Sequence, residues 1–225
     1  MAAMPPRDAA REQMLAQHLR GRDIHDARVL QAMARVPREA FVEAGNEAEA
    51  YADHPLPIGA GQTISQPYIV ALMAQAAMIG PEDRVLEVGT GSGYAAAVLA
   101  ELARRVDTVE RHAVLAQGAA ERLVALGYRH VQVHHGDGSI GWPANAPYDA
   151  VLVAAAAPAL PPALCEQLAP GGRAVIPIGA QAALQCLCRF TRSDGVCVAE
   201  NLGGVVFVPL IGEQGWPEAD AAVSC

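Results

Sequence analysis

The chain has no lysine in 225 residues, and all sixteen of its basic residues are arginine. That absence excludes a Schiff-base lysine and the lysine of a Walker-type phosphate loop, and with them two large enzyme classes. Aromatic residues are scarce, 4% against 52% hydrophobic residues, so the core must be built from closely packed Ala, Val and Leu rather than stacked rings. No apolar run reaches the roughly 18 residues that a membrane span needs, and Met1–Arg11, polar with Pro and charge, has no apolar leader segment. A basic face is missing as well: a formal net charge of -8 has the wrong sign for a protein that neutralises phosphates. The expectation is a cytoplasmic, soluble protein with neither nucleic acid nor membrane as partner.

Five cysteines (Cys165, Cys186, Cys188, Cys197, Cys225) are an odd number in a chain too large to need disulfide staples. They read as small buried hydrophobes in a reducing compartment. Cys186 and Cys188 would share one face of a strand, but no second pair completes a zinc set, and His134 and His135 have no ligand partners at suitable spacing. No metal is expected.

A length of 225 residues suits one domain. The first third reads as helical: Leu15 and Leu19 stand at i,i+4, and Val29, Leu30 and Met33 follow an Asp26 cap in a helix that Pro37 stops. Tyr51–Gln66 has Pro, Gly and hydroxyl residues without a period, a loop long enough to be functional. After a short apolar helix over about Pro67–Met78, strands and helices alternate, the mark of a parallel sheet. Strands are predicted at Arg84–Val88, Val106–Glu110, Val131–Val133, Ala150–Val153 and Arg173–Ile178, with Leu184–Phe190 and Val205–Leu210 closing the sheet. Helices are predicted at Gly93–Arg105, ending in two arginines that suit its dipole, at Leu115–Leu126, stopped by Gly127, and at Leu160–Leu168. Val131 and Val133 alternate with polar residues and belong at an edge, whereas Ala150–Val153 is apolar without a break and belongs near the centre. The fold class is therefore α/β, a doubly wound, mostly parallel sheet with N-terminal helices and its first strand central. The last ten residues are expected to fray.

The strongest local signal is Glu87-Val88-Gly89-Thr90-Gly91-Ser92-Gly93, where a buried strand turns into a helix. Glycines at alternate positions allow a sharp turn and a close ligand, and the helix N-terminus offers N–H groups to a carboxylate. The dinucleotide fingerprint wants Gly or Ala where Tyr94 stands, which disfavours a nicotinamide dehydrogenase. Glu87 would repel a pyrophosphate and favour the cationic ammonium and sulfonium of S-adenosylmethionine. Glu110, at the end of the second strand, is placed to accept ribose hydroxyls. Asp137, in Gly136-Asp137-Gly138, is placed to take an adenine amino proton.

From about Leu15 to Trp216 the chain resembles the protein-L-isoaspartate O-methyltransferase family. The resemblance is carried by Val36-Pro37-Arg38-Glu39 with Phe41-Val42, Ala50-Tyr51-Ala52-Asp53, Gly61-Gln62-Thr63-Ile64-Ser65-Gln66-Pro67, Val85 to Tyr94, Gly136-Asp137-Gly138, Pro147-Tyr148-Asp149, Gly171-Gly172 and Phe207-Val208-Pro209-Leu210. Thr63-Ile64-Ser65-Gln66-Pro67 singles the family out, since the glycine turn is shared by many methyltransferases. The chain departs from the family pattern at Ala154, where relatives often have Thr, and at Glu43, where many have Pro. Ala155-Ala156-Ala157-Pro158 replaces the Asn-Pro-Pro-Tyr type of motif of amino-group methyltransferases.

The resemblance implies a Rossmann-like class I methyltransferase that takes a methyl group from S-adenosylmethionine, leaves S-adenosylhomocysteine, and esterifies the free α-carboxylate of L-isoaspartyl residues in damaged proteins. It implies Ser65 as the active-site hydroxyl and Thr63, Ser65 and Val206 as substrate contacts. Gln62, Thr63, Ile64, Glu87, Gly89, Thr90, Gly91, Ser92, Gly93, Glu110, Arg111, Asp137 and Gly138 would hold the cofactor, and Val206–Ile211 would border the cleft. One methyltransferase domain would span 1–225, with a helical segment and active-site loop at 8–66, the core at 67–216 and a tail at 217–225. The expected assembly is a monomer or weak homo-oligomer. Two rivals share the fold: a methyltransferase for another carboxylate or hydroxyl, and a homologue that binds the cofactor without catalysis.

Overall fold

The structure, a computed structural model, describes residues 7–181 and 183–218. Helix α1 (Arg7–Gln13) runs into a π-helical stretch, Met14–Arg20, which buries Met14, Leu15 and Leu19. Helix α2 (Ala27–Arg35) starts at Asp26, whose carboxylate accepts from the Arg28 and Val29 amides. It stops before Pro37, whose ring disfavours helical geometry at the preceding Val36. The loop without a period contains a short antiparallel hairpin, β1 (Leu56–Pro57) on β2 (Thr63–Ile64). Helix α3 (Pro67–Ala77) then opens on proline at its first position, where the missing N–H costs nothing.

From there the elements are β3 (Arg84–Val88), α4 (Tyr94–Ala100), β4 (Arg105–Glu110), α5 (Ala113–Ala125), β5 (Val131–His135), β6 (Tyr148–Val153), α6 (Pro162–Glu166), β7 (Leu168–Ile178), β8 (Gln185–Ser193) and β9 (Val196–Val205). The sheet order is β5-β4-β3-β6-β7-β8-β9, parallel through β7 and antiparallel for the last two strands. Strand β3 is central, β5 lies at an edge, and β6 lies beside β3, as the apolar patterns imply. The chain winds one way from β3 to β4 and β5 and the other way from β6, so a crevice opens at the carboxyl ends of β3 and its neighbours. On one face Val85, Ala150, Val175 and Leu187 pack with the N-terminal helices, α3 and α4; on the other Leu86, Val151, Ala174 and Ile176 pack with Leu164.

Several boundaries differ from the sequence reading. Helix α4 ends at Ala100, and the Arg104 and Arg105 amides both donate to the Asp83 carbonyl, which draws Arg105 into β4 instead of leaving it at a helix end. The buried face of α5 is Ala116, Ala119 and Leu123, while Leu126 is its exposed C-cap. Pro161 and Pro162 start α6 late, and Leu168 already belongs to β7. Residues Val206 to Leu210 do not form a strand: β9 ends at Val205, and the following backbone is tied instead by Ala156 N–H to the Val208 carbonyl and Leu210 N–H to the Ala156 carbonyl, both 2.8 Å. Strand β9 itself, with Glu200, Asn201, Gly203 and Gly204, has no strand-like pattern and was not expected.

Trp216 does not fray, because its indole N–H donates to the Ala156 carbonyl and its amide to the Leu210 carbonyl. Residues 219–225 of the expected tail lie outside the described residues. Cys165 and Cys197 are joined in a disulfide that ties α6 to β9, so these two are not separate buried thiols. Cys186 and Cys188 are free and share a face of β8, with their sulfurs 3.4 Å apart. Among the described residues no cluster of three or more His, Cys, Asp or Glu could hold a metal, and no helix is long and apolar enough to cross a membrane.

Candidate active site

The glycine turn sits where β3 ends in the crevice. Gly89, Gly91 and Gly93 have φ of +94°, +53° and +90°, the left-handed region that glycine enters without a side-chain clash. The turn is pinned on both sides, by Gly89 N–H to the Val109 carbonyl and by Ala154 N–H to the Val88 carbonyl, each 2.8 Å. At the end of β4 the Glu110 carboxylate accepts from the Gly91 and His112 amides, both 2.9 Å away. A carboxylate offers about four lone-pair directions, so two remain for a diol.

These elements enclose a cavity of about 280 Å³. Of the residues singled out from sequence, Gln62, Thr63, Ile64 and Ser65 line it from the hairpin side, Gly89, Thr90, Gly91 and Ser92 from the turn, and Glu110, Arg111 and Gly138 from the neighbouring strand ends. The structure thus brings the loop and the glycine turn, separated in sequence by helix α3 and strand β3, to one space. Val208 to Ile211 supply another wall.

Four expected residues are not in the wall. Glu87 lies inside β3, sealed from solvent, where its Oε2 accepts from the Thr108 hydroxyl at 2.5 Å. Burial above all pushes its pKa up to about 8; the Glu110 charge also raises it, and the Thr108 hydrogen bond opposes the shift. It lies behind the turn, linked to Thr90 through the Thr108 hydroxyl. Gly93 caps α4 and faces Leu123 and Ala119. Asp137 lines a shallow neighbouring pocket, and its carboxylate accepts from the Ser139 amide at 2.8 Å and the Glu213 amide at 2.7 Å, so it fastens residues 212–214 to the turn after β5. Val206 is 73% exposed and does not line the cavity. Gly138 also has a packing reason for its identity: a Cβ there would lie 2.4 Å from Val88 Cγ1.

Sequence reasoning missed His112, Tyr94 and Ala95 as wall residues. His112 Nε2 is buried with no hydrogen-bond partner among the described residues, an atom that a polar ligand edge could satisfy. The only sequence signal for it was adjacency to Glu110 and Arg111. The apolar sides formed by Val88, Val109 and Leu210, a carboxylate with free acceptors and an unpaired imidazole nitrogen fit an adenosine-like group.

The sequence profile of the family described as Protein-L-isoaspartate(D-aspartate) O-methyltransferase matches residues 9–215. Protein-L-isoaspartate O-methyltransferase 2 of Pelobacter propionicus is 56% identical over 207 residues, covering 92% of each chain. Protein-L-isoaspartate O-methyltransferase 1 of Rhodopseudomonas palustris is 56% identical over 209 residues, covering 92% of this chain and 85% of its own. A solved protein-L-isoaspartate O-methyltransferase superposes with a TM-score of 0.83 at 28% identity over 91% of this chain and 67% of that one. A Plasmodium falciparum structure, titled as a beta-aspartate methyltransferase in complex with S-adenosyl-L-homocysteine, gives 0.78 at 25% identity, covering 92% and 99%.

Proposed function

The chain belongs to the protein-L-isoaspartate(D-aspartate) O-methyltransferase family, and on that premise we propose that it methylates the free α-carboxylate of L-isoaspartyl residues in damaged proteins with S-adenosylmethionine, initiating their repair. One observation carries the reading: the Thr63–Ser65 loop characteristic of the family lines the same cavity as the glycine turn and Glu110.

When bound, S-adenosylmethionine supplies an electrophilic methyl group on a sulfonium and leaves as S-adenosylhomocysteine. Gln62 to Ile64, Gly89 to Ser92, Glu110, Arg111 and Gly138 are assigned to holding it, with Glu87, Gly93 and Asp137 supporting that wall from behind. Glu110 would accept the ribose hydroxyls with the lone pairs its two amides leave free.

The acceptor brings its own nucleophile. An α-carboxylate has a reference pKa near 3.3–3.7 and is ionised at neutral pH, so the site requires no general base. What the chain must supply is alignment, which can contribute on the order of 7–11 kcal/mol. Ser65 is assigned to orienting the carboxylate by a hydrogen bond from its hydroxyl, and Thr63 to the same substrate wall. Closure of the Tyr51–Gln66 loop would exclude water during transfer.

The proposal includes a single methyltransferase domain, a monomer or weak homo-oligomer, and work in the cytoplasm without nucleic acid or membrane; the acidic net charge of -8 supports the last point. The Cys165–Cys197 disulfide weighs against a cytosol that keeps thiols reduced, and alkylation of thiols in intact cells decides between them.

The test is a methyl-transfer assay with an isoaspartyl peptide beside its aspartyl twin. Base-labile methylation of the first alone is expected. Cofactor binding without transfer would favour a binding module, and transfer to neither peptide by an enzyme active on other carboxylates or hydroxyls would favour a different acceptor.

A further inference from the structure

Arg38 is completely buried, yet among the described residues no carboxylate pairs with it. A charge removed from water without an ionic partner is costly, so its retention calls for a reason. Its Nε–H donates to the Ala50 carbonyl and an Nη2–H to the Ser65 carbonyl, both at 2.7 Å. The guanidinium carbon lies 4.6 Å from the centroid of the Tyr94 ring, and Tyr94 is itself a wall of the cavity. One planar cation thus holds both stems of the active-site loop and rests on the cavity wall.

We propose that Arg38 is the positioning residue for the acceptor carboxylate: by fixing the Ser65 carbonyl it fixes the direction in which the Ser65 side chain enters the cavity. The inference rests on the assignment of Ser65 above. A second contact has the same effect on the stems, since Gln66 Nε2–H donates to the Asp53 carbonyl at 2.9 Å. The tip at Gly59–Gly61 is exposed and, among the described residues, is bonded only within its own turn, by Gln62 N–H to the Gly59 carbonyl at 2.9 Å and Gln62 Nε2–H to the Ala60 carbonyl at 3.3 Å, so closure of the loop is movement of this tip while Ser65 stays in register.

The geometry explains the choice of arginine. A guanidinium presents donors on diverging edges of a rigid plane and reaches two carbonyls at once, whereas an ammonium is a point donor on a flexible stem. Stacking on Tyr94 sets the plane, and the edge contact of Phe41 with Tyr94, centroids 5.6 Å apart, sets the ring.

The experiment compares R38K, S65A and the double variant for turnover of an isoaspartyl peptide, affinity for S-adenosylhomocysteine by calorimetry, and melting temperature. R38K should lower kcat by about 10- to 100-fold, the scale expected for a misplaced reacting group, with S-adenosylhomocysteine affinity within about twofold of the parent. The double variant should be no slower than S65A, because the two side chains act through one path. Losses that multiply would overturn the inference, as would R38K turning over like the parent while S65A is impaired. S65A at the parent rate would instead refute the Ser65 assignment, a failure visible in the single variant alone. Should R38K melt below the assay temperature, R38Q, which keeps one amide donor group and no charge, is held to the same outcomes.

Discussion

Glu87 and Thr108, on adjacent central strands, share a hydrogen bond of 2.5 Å with both side chains sealed from solvent, and Thr108 is in turn 2.6 Å from Thr90 in the glycine turn. The folded protein keeps the Glu87 proton up to about pH 8, whereas the unfolded chain releases it near its ordinary value of 4.5. Between those values the folded state binds more protons, so Glu87 makes stability fall as pH rises through this window and adds no further slope above it. Glu87→Gln should gain on the parent progressively from pH 5 to pH 8, by up to about 5 kcal/mol. Urea unfolding at three pH values measures this; a gap that does not change with pH would show that Glu87 does not titrate as described.

Gly138→Ala should destabilise the protein by about 1–3 kcal/mol, the usual cost of forcing a methyl group into filled space, because the new Cβ meets Val88. Gly136→Ala, which meets nothing, should stay within about 0.5 kcal/mol of the parent. Equal unfolding midpoints for both variants would refute the contact. Val88 also lines the cavity, so the first variant should weaken S-adenosylhomocysteine binding as well.

Ser65→Ala removes a hydrogen bond to a charged acceptor, worth about 1.5–3 kcal/mol. Turnover of the isoaspartyl peptide should fall by about 10- to 100-fold, with cofactor affinity unchanged. Steady-state kinetics beside calorimetry separates the two effects, and a parallel loss in both would reassign Ser65 to cofactor binding.

Reduction of the Cys165–Cys197 bond, which spans 32 positions, should cost about 3–4 kcal/mol of stability through the freedom returned to the unfolded chain. Alkylation of unfolded, unreduced protein, read residue by residue, should label Cys186 and Cys188 and spare Cys165 and Cys197. Label on Cys165 and Cys197 would mean that the bond is not formed.

Much of the fold could be read from the sequence because local and global preferences coincide there. The unbroken apolar run Ala150–Val153 suits a strand covered on both faces, Asp26 has the side chain that a helix start needs, and Pro37 stops what precedes it. Strand β9 was illegible because its residues show no alternation; pairing with β8 overrides what they would do alone. The carboxylates show the limit most clearly. Sequence places Asp137 beside a strand end, but only the folded chain shows that an amide 76 positions away occupies it. Arg38 could be read as part of a family motif and not as a clamp, since its carbonyl partners belong to the main chain and leave no signature of residue type.

The wall formed by Val208 to Ile211, fastened through Asp137, Ala156 and Trp216, comes from the part of the chain that a ribosome delivers last among the site residues. A nascent polypeptide already holding the glycine turn, Glu110 and Ser65 would still present a three-sided trough open to water. Competence therefore arrives late in synthesis, and a truncated translation product would be inert rather than partly active.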